Sequence, residues 1–290
     1  MMKVVLGRDD LAEAAAAAVA ETGTPYERLD IKPVHRASRG FVDGTGADLC
    51  ELAIVTLLQA IAQGREVLLL PITALGRDQH HTLVTLGRLT VDDIEGRSVG
   101  VRAWSQTTGV WVRGFLTEQY GVDLRKVDWR TYEGAHVDGF DDPSWVTRAP
   151  QGAKLPADFL DGRIDFGIMG NELPGDDRIR TAIADAREVA AAWAARTGFT
   201  PVNHVLGVRE TAAREHAPAI LAAFDALRTA AAAAPTAAID PAGFAGLRAP
   251  FTRASAYALE QEVIPRAVDF EEIVDRTCAA LGVPASRLGG

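Results

Sequence analysis

The chain has 290 residues, 48% of them hydrophobic and 24% charged, with a formal net charge of −9. That length supports one large domain or two modest lobes around a well-buried core. The acidic balance and the lack of any dense Lys/Arg block exclude a nucleic-acid footprint, although a local pocket for an anion can still be positive.

In chain order, 2–6 reads as a first strand. Asp10 and Glu13 have the spacing of a capping box opening an alanine-rich helix to about Glu21. Gly23 and Pro25 stop that helix, and 26–34 alternates like a second strand. A basic loop carries His35 and Arg39. Asp48 is placed to cap a helix to about Gln63, with Glu51 in its first turn. The apolar run 67–72 has the composition of a strand buried on both faces, with Pro71 at its end. A polar turn, Gly76-Arg77-Asp78-Gln79-His80-His81, leads into a strand over 82–86. Residues 91–97 read as a crossover into a second lobe. That lobe is expected to contain strands at 98–101, 127–132 and 164–168, with a long loop over 136–154 and a short helix at 156–161. A helix over 185–196, a strand over 203–208 and helices at about 214–234, 253–264 and 270–281 complete the chain. Alternation of strands and helices predicts an α/β fold with mostly parallel sheets.

Neither end of the alanine run 14–20 extends it to membrane-spanning length, and the start lacks the pattern of an export signal. Cys50 and Cys278, the two cysteines, each lie in a helical-looking apolar segment and read as reduced, buried thiols. These features predict a cytoplasmic protein with no membrane partner; apolar helical surface leaves room for a homodimer. The six histidines are scattered, without the spacing of a zinc motif, and no glycine-rich phosphate loop or nucleophile elbow occurs. No metal and no cofactor are expected.

The organising stretch is SVGVRAWSQTTGVWVRGFLTEQY, residues 98–120. A short apolar strand runs into a hydroxyl-rich corner, with Ser105, Thr107 and Thr108 as candidate N-caps, and then into a helix. The first turn of a helix leaves N–H groups unpaired and its dipole favours an anion, with Arg113 close enough to add a cation. From these residues alone, an ordinary capped helix with a solvated arginine is an equal alternative.

The run Val101-Arg-Ala-Trp-Ser-Gln-Thr-Thr-Gly-Val-Trp-Val-Arg-Gly-Phe-Leu, followed by Gln119-Tyr-Gly-Val-Asp and Val127-Asp-Trp129, resembles the 4,5-dihydroxyphthalate decarboxylase family. A second block, Thr197-Gly-Phe-Thr-Pro-Val-Asn-His204-Val-Leu-Gly-Val-Arg209, is similar to that family's Thr-Gly-x-x-Pro-x-x-His stretch. The resemblance spans about 54–230. It departs from the family at the Arg-His pair near residue 80, in a shorter chain, and in the C-terminal third.

The resemblance implies a two-lobed fold like the type 2 periplasmic binding proteins, with a ligand cleft between lobes. Lobe one is expected to be discontinuous, 1–89 with 201–290, and lobe two to cover 90–200. In such sheets ligands sit beyond the carboxyl ends of strands. This places Arg77, His80, His81, Trp104, Ser105, Thr107, Thr108, Arg113 and Asn171 near the ligand, with His204 at a hinge. Trp111 is equally plausible as a ring wall or as core.

The chemistry implied is cofactor-independent decarboxylation of a hydroxylated, phthalate-like aromatic acid. Anions are held at 105–113, and a histidine general acid, His204 or His80, supplies the proton. A solvated turn pair remains the other reading of His80 and His81, and a backbone-bonded core-edge residue that of His204. Two alternatives share the fold: an enzyme of the menaquinone (futalosine) type, and a solute-binding or sensor protein for a small anion.

Overall fold

The computed structural model describes residues 1–170, 172–233 and 241–290. Asn171 and Ala234, the last residue of one expected helix, lie outside the described residues. The chain begins β1 (Met2–Val5), α1 (Asp9–Glu21), β2 (Tyr26–Arg28), α2 (Ser38–Val42), β3 (Leu49–Ala53), α3 (Ile54–Ala62) and β4 (Val67–Gly76). It continues with β5 (Leu83–Thr85), β6 (Ser98–Val101), α4 (Thr107–Tyr120), β7 (Asp128–Thr131), β8 (Thr147–Arg148), α5 (Leu155–Leu160), β9 (Phe166–Ile168), β10 (Arg180–Thr181) and α6 (Ala186–Thr197). The remainder is β11 (Val202–Arg209), α7 (Glu210–Glu215), α8 (Ala217–Ala232), α9 (Gly243–Glu260) and α10 (Phe270–Leu281).

These elements fall into two compact units. The first comprises Met1–Arg77, Val202–Ser255 and Pro265–Gly290; the second comprises Asp78–Pro201 and Ala256–Ile264. The first crossing therefore lies at Arg77/Asp78, earlier than the expected boundary near residue 89. The reason is β5, which is hydrogen-bonded to β9 and β10 of the second unit.

The first unit holds a five-stranded sheet in the order β2-β1-β3-β11-β4. Strand β1 pairs in parallel with β2 and β3, while β11 runs antiparallel to both β3 and β4. Helix α1 buries Leu11, Ala12, Ala15 and Val19, a single face at helical spacing. It packs against α8, whose small Ala219 and Ala223 alternate with Ile220, Phe224 and Leu227 on the buried face.

Several local expectations change. Helix α1 starts at Asp9 with Arg8 as an N-cap that makes no side-chain cap bond, so Asp10 does not form the predicted capping box. Strand β2 ends at Arg28, and a short 3-10 turn covers Val34–Ala37. The segment after Asp48 is a strand before it is a helix, because β3 occupies Leu49–Ala53 and α3 begins only at Ile54. Pro71 lies inside β4 rather than at its end. There the β4/β11 register slips, from Leu70 opposite Leu206 to Thr73 opposite Val205. A residue without an N–H is tolerated where a bulge already interrupts the ladder.

The second unit holds a six-stranded sheet, β10-β5-β9-β6-β7-β8. Its β9, β6, β7 and β8 are parallel neighbours, and β5 runs antiparallel to β9 and β10. Both sheets are thus mixed, more than the expected parallel character allowed. Helix α4 is the core of this unit, with every residue from Thr107 to Leu116 buried. Tyr257 lies flat against Gly114, where a Cβ would come within 2.2 Å of the ring.

Candidate functional site

In the first unit the sheet register creates a paired acid and base. Glu51 on β3 lies opposite Leu206 of β11, and His204 lies two residues away on the same face. Such diagonal neighbours are within reach of long side chains. His204 Nδ1 is 2.7 Å from Glu51 Oε1, and Glu51 Oε2 accepts the Gly7 N–H at 2.8 Å. The Glu51 side chain is 7% exposed and that of His204 is 22% exposed. Burial alone pushes the Glu51 pKa up. The hydrogen bond and charge of His204, the Gly7 N–H and the Arg8 charge outweigh it, so the carboxyl is held below its ordinary value. Among the described residues, His204 Nε2 has no hydrogen-bond partner.

Arg77 follows the end of β4, two residues beyond Leu75, which is the register partner of His204. It is half-buried. Arg77, just past β4, and His204, near the start of the neighbouring β11, therefore lie toward the same end of the first sheet. Glu51 was not among the expected site residues, because the helical reading of 48–63 placed it in a first turn and not on a strand beside β11. The available signal was a lone carboxylate inside the apolar run Leu-Cys-Glu-Leu-Ala-Ile-Val, since a buried charge needs a partner.

In the second unit the predicted residues gather around α4, though not as predicted. The N-cap is Gln106, without a side-chain cap bond, and not Ser105, Thr107 or Thr108. Ser105 is half-buried, whereas Thr107 and Thr108 are buried. Among the described residues, Thr107 Oγ1 has no hydrogen-bond partner.

Arg113 is not a solvated cation; it is fully buried. Its Nη2 donates to Trp104 O at 2.5 Å, its Nε donates to Gln261 Oε1 at 2.8 Å, and its guanidinium lies 3.6 Å from the Trp104 ring centroid. Of its three nitrogens, Nη1 has no hydrogen-bond partner among the described residues. Burial depresses its pKa, opposed by the charge of Asp142. Trp104 is also fully buried, with Nε1 donating to Gln261 O, so it is core and not an open ring wall. Trp111 is core as well.

His80 is corrected too. It is completely buried, stacked on Phe115 at 4.1 Å, beside Trp193. Its Nε2 lies 3.0 Å from Gln119 Nε2, and its Nδ1 has no partner. Burial pulls its pKa down to about 4. A neutral imidazole enclosed by aromatic rings is a poor proton donor near neutrality. His81 beside it is exposed.

Arg102, Tyr132, Glu133, Lys154, Leu155 and Glu172 line a pocket of about 130 Å³ at the carboxyl ends of β6 and β7. Among the described residues no group of three or more His, Cys, Asp or Glu is placed to hold a metal ion, and no helix is long and apolar enough to cross a membrane. Cys50 and Cys278 are free thiols.

No protein-family model matches the chain. A 4,5-dihydroxyphthalate decarboxylase from Comamonas testosteroni is 29% identical over 191 residues, covering 58% of this chain and 56% of that protein. The match thus spans about half the length of that relative. Among solved structures, a periplasmic sulfonate-binding protein, SsuA, from Methylobacillus flagellatus KT superposes with a TM-score of 0.53 at 10% identity. That alignment covers 97% of this chain and 94% of the other.

The fold is a two-lobed, periplasmic-binding-protein-like α/β fold. Kinship with the decarboxylase is distant.

Proposed function

We propose that this protein is a cofactor-independent carboxy-lyase for a hydroxylated aromatic acid, with His204 as the proton donor. The observation that carries the reading is the Glu51–His204 hydrogen bond, a carboxylate–imidazole pair in a chain that is 29% identical to a decarboxylase over 191 residues.

Loss of CO2 from an aromatic carboxylate consumes one proton. A para phenol oxygen gives up its own proton and pushes electron density into the ring. The carboxyl-bearing carbon then takes a proton from imidazolium Nε2, giving a cyclohexadienone. The bond to the carboxylate breaks, its electron pair returns to the ring, and CO2 leaves. The phenolate and the imidazole each regain a proton from solvent. One positioned acid of this kind contributes about 10²–10⁴-fold in rate. Arg77, toward the same end of the sheet, is assigned to an anionic group of the substrate. The start of α4, with Ser105 and the unpartnered Thr107 hydroxyl, is assigned separately as an anion-holding element of the second unit.

A second reading has its own support: the fold match to a sulfonate-binding protein over nearly the whole chain favours a binder of a small anion. One experiment separates the two. The protein is incubated with a panel of hydroxybenzoic and phthalic acids, with CO2 release measured beside calorimetric binding. The carboxy-lyase reading expects CO2 from at least one acid, and a fall of about 10²–10⁴-fold in His204→Ala with binding retained. Heat of binding without CO2 from any acid leaves the binder.

A further inference from the structure

We propose that Glu51 is the positioning residue for His204, fixing a proton on Nδ1 so that Nε2 alone exchanges protons with a bound substrate. The inference rests on the proposed decarboxylation and adds the residue that selects which nitrogen acts.

A neutral imidazole carries one N–H, on either nitrogen, and its neighbours decide which. Glu51 is held ionised by its partners, and an ionised carboxylate only accepts. At 2.7 Å from Nδ1 it therefore requires the hydrogen to be there. Its other oxygen is occupied by the Gly7 N–H. Both oxygens are thus tied, on a side chain that is 7% exposed. Nε2 is the nitrogen left over, on a side chain that keeps 22% of its surface exposed.

The proton balance follows. With Nδ1–H fixed, uptake at Nε2 makes the imidazolium, and release from Nε2 restores the starting tautomer. Glu51 neither gains nor loses a proton in either step. It orients the ring and balances the charge that appears on it. A purely structural pair, pinning β3 to β11, would need the contact but would be indifferent to which nitrogen faces outward.

Glu51→Gln distinguishes these roles. Glutamine keeps the size but has one acceptor oxygen, which the Gly7 N–H claims. Its NH2 then turns toward His204 Nδ1 and moves the ring hydrogen to Nε2. The experiment records ring nitrogen resonances of 15N-histidine-labelled protein above the pH of imidazole protonation, with His204 assigned against His204→Ala. It also records CO2 release across pH. The wild type is expected to show Nδ1–H with Nε2 as acceptor, and Glu51→Gln the reverse. CO2 release is expected to fall about 10²–10⁴-fold in Glu51→Gln and to recover in part in Glu51→Asp, with the unfolding midpoint nearly unchanged.

An Nε2–H tautomer in the wild type overturns the inference. So does a Glu51→Gln variant that inverts the tautomer yet keeps wild-type CO2 release and pH profile. A wild type that shows Nδ1–H, inverts on substitution and releases no CO2 from any acid removes the decarboxylation reading while the tautomer assignment holds.

Discussion

Two polar clusters in this chain differ in how they meet solvent. Around α4, Arg113 spends two of its three nitrogens on Trp104 and Gln261, with all three residues buried. On β3 and β11, Glu51 and His204 satisfy each other and Gly7, and one ring nitrogen remains uncommitted beside solvent. Residue type does not separate them, since each joins a charged group to a neighbour by short hydrogen bonds. What separates them is access to solvent: the unpartnered Arg113 Nη1 is fully enclosed, whereas the His204 side chain is 22% exposed. By that measure the arginine fits a place in the core, and His204 fits the proton donor we propose.

The comparison breaks most easily at Arg113. Truncation to alanine empties a large buried volume and strands the Trp104 carbonyl and the Gln261 side chain. A loss of roughly 3–5 kcal/mol is expected from the cavity and the orphaned acceptors together. Urea unfolding followed by tryptophan fluorescence measures it. A variant of unchanged stability that instead binds its acid more weakly would return Arg113 to the role of anion clamp.

His80 gives the next largest effect, through pH. Its imidazole titrates near 6.5 when unfolded and at about 4 when folded, because burial opposes the charged form. The unfolded chain therefore takes up a proton first as pH falls. The contribution of neutral His80 to stability is fully present above pH 6.5 and is lost progressively toward pH 4, with a limit of about 3 kcal/mol. Urea midpoints of the wild type and His80→Asn at pH 7.5 and 5 test this. The variant should lose the part of the slope owed to His80, and an identical slope in both proteins would free His80 from the core assignment.

The sequence carried the fold further than the site, and the particular misses show why. The alternation of strands and helices and the length of α4 follow from local periodicity, so both are visible in the residues. Strand β3 was not, because the apolar run from Leu49 to Ile61 has no turn signal and satisfies helix and strand templates alike. That single ambiguity hid the setting of Glu51, whose hydrogen-bond partner is a β11 residue 153 positions away. Arg113 and Trp104 failed in the opposite sense: a motif records residue types, and nothing local says whether a guanidinium turns outward or folds onto an indole supplied by the preceding corner. For His204, nothing in the neighbouring residues announced its hydrogen-bond partner on β3.

The smallest expected effect is also the sharpest test of the pair. A Cβ on Gly7 would stand 3.1 Å from Glu51 Oε2 and 3.4 Å from Oε1. The backbone N–H that holds the carboxylate is retained in Gly7→Ala, so the change is a push of a few tenths of an ångström and not a lost hydrogen bond. Stability should stay within about 1 kcal/mol, because one methyl group is accommodated by a shift of one side chain. Positioning is less forgiving. A misplacement of about 1 Å can cost on the order of 10²-fold, so a displacement of this size should lower CO2 release several-fold with substrate binding intact. If Gly7→Ala instead loses stability and keeps its full turnover, the carboxylate is serving the sheet, and the contrast between the two clusters disappears.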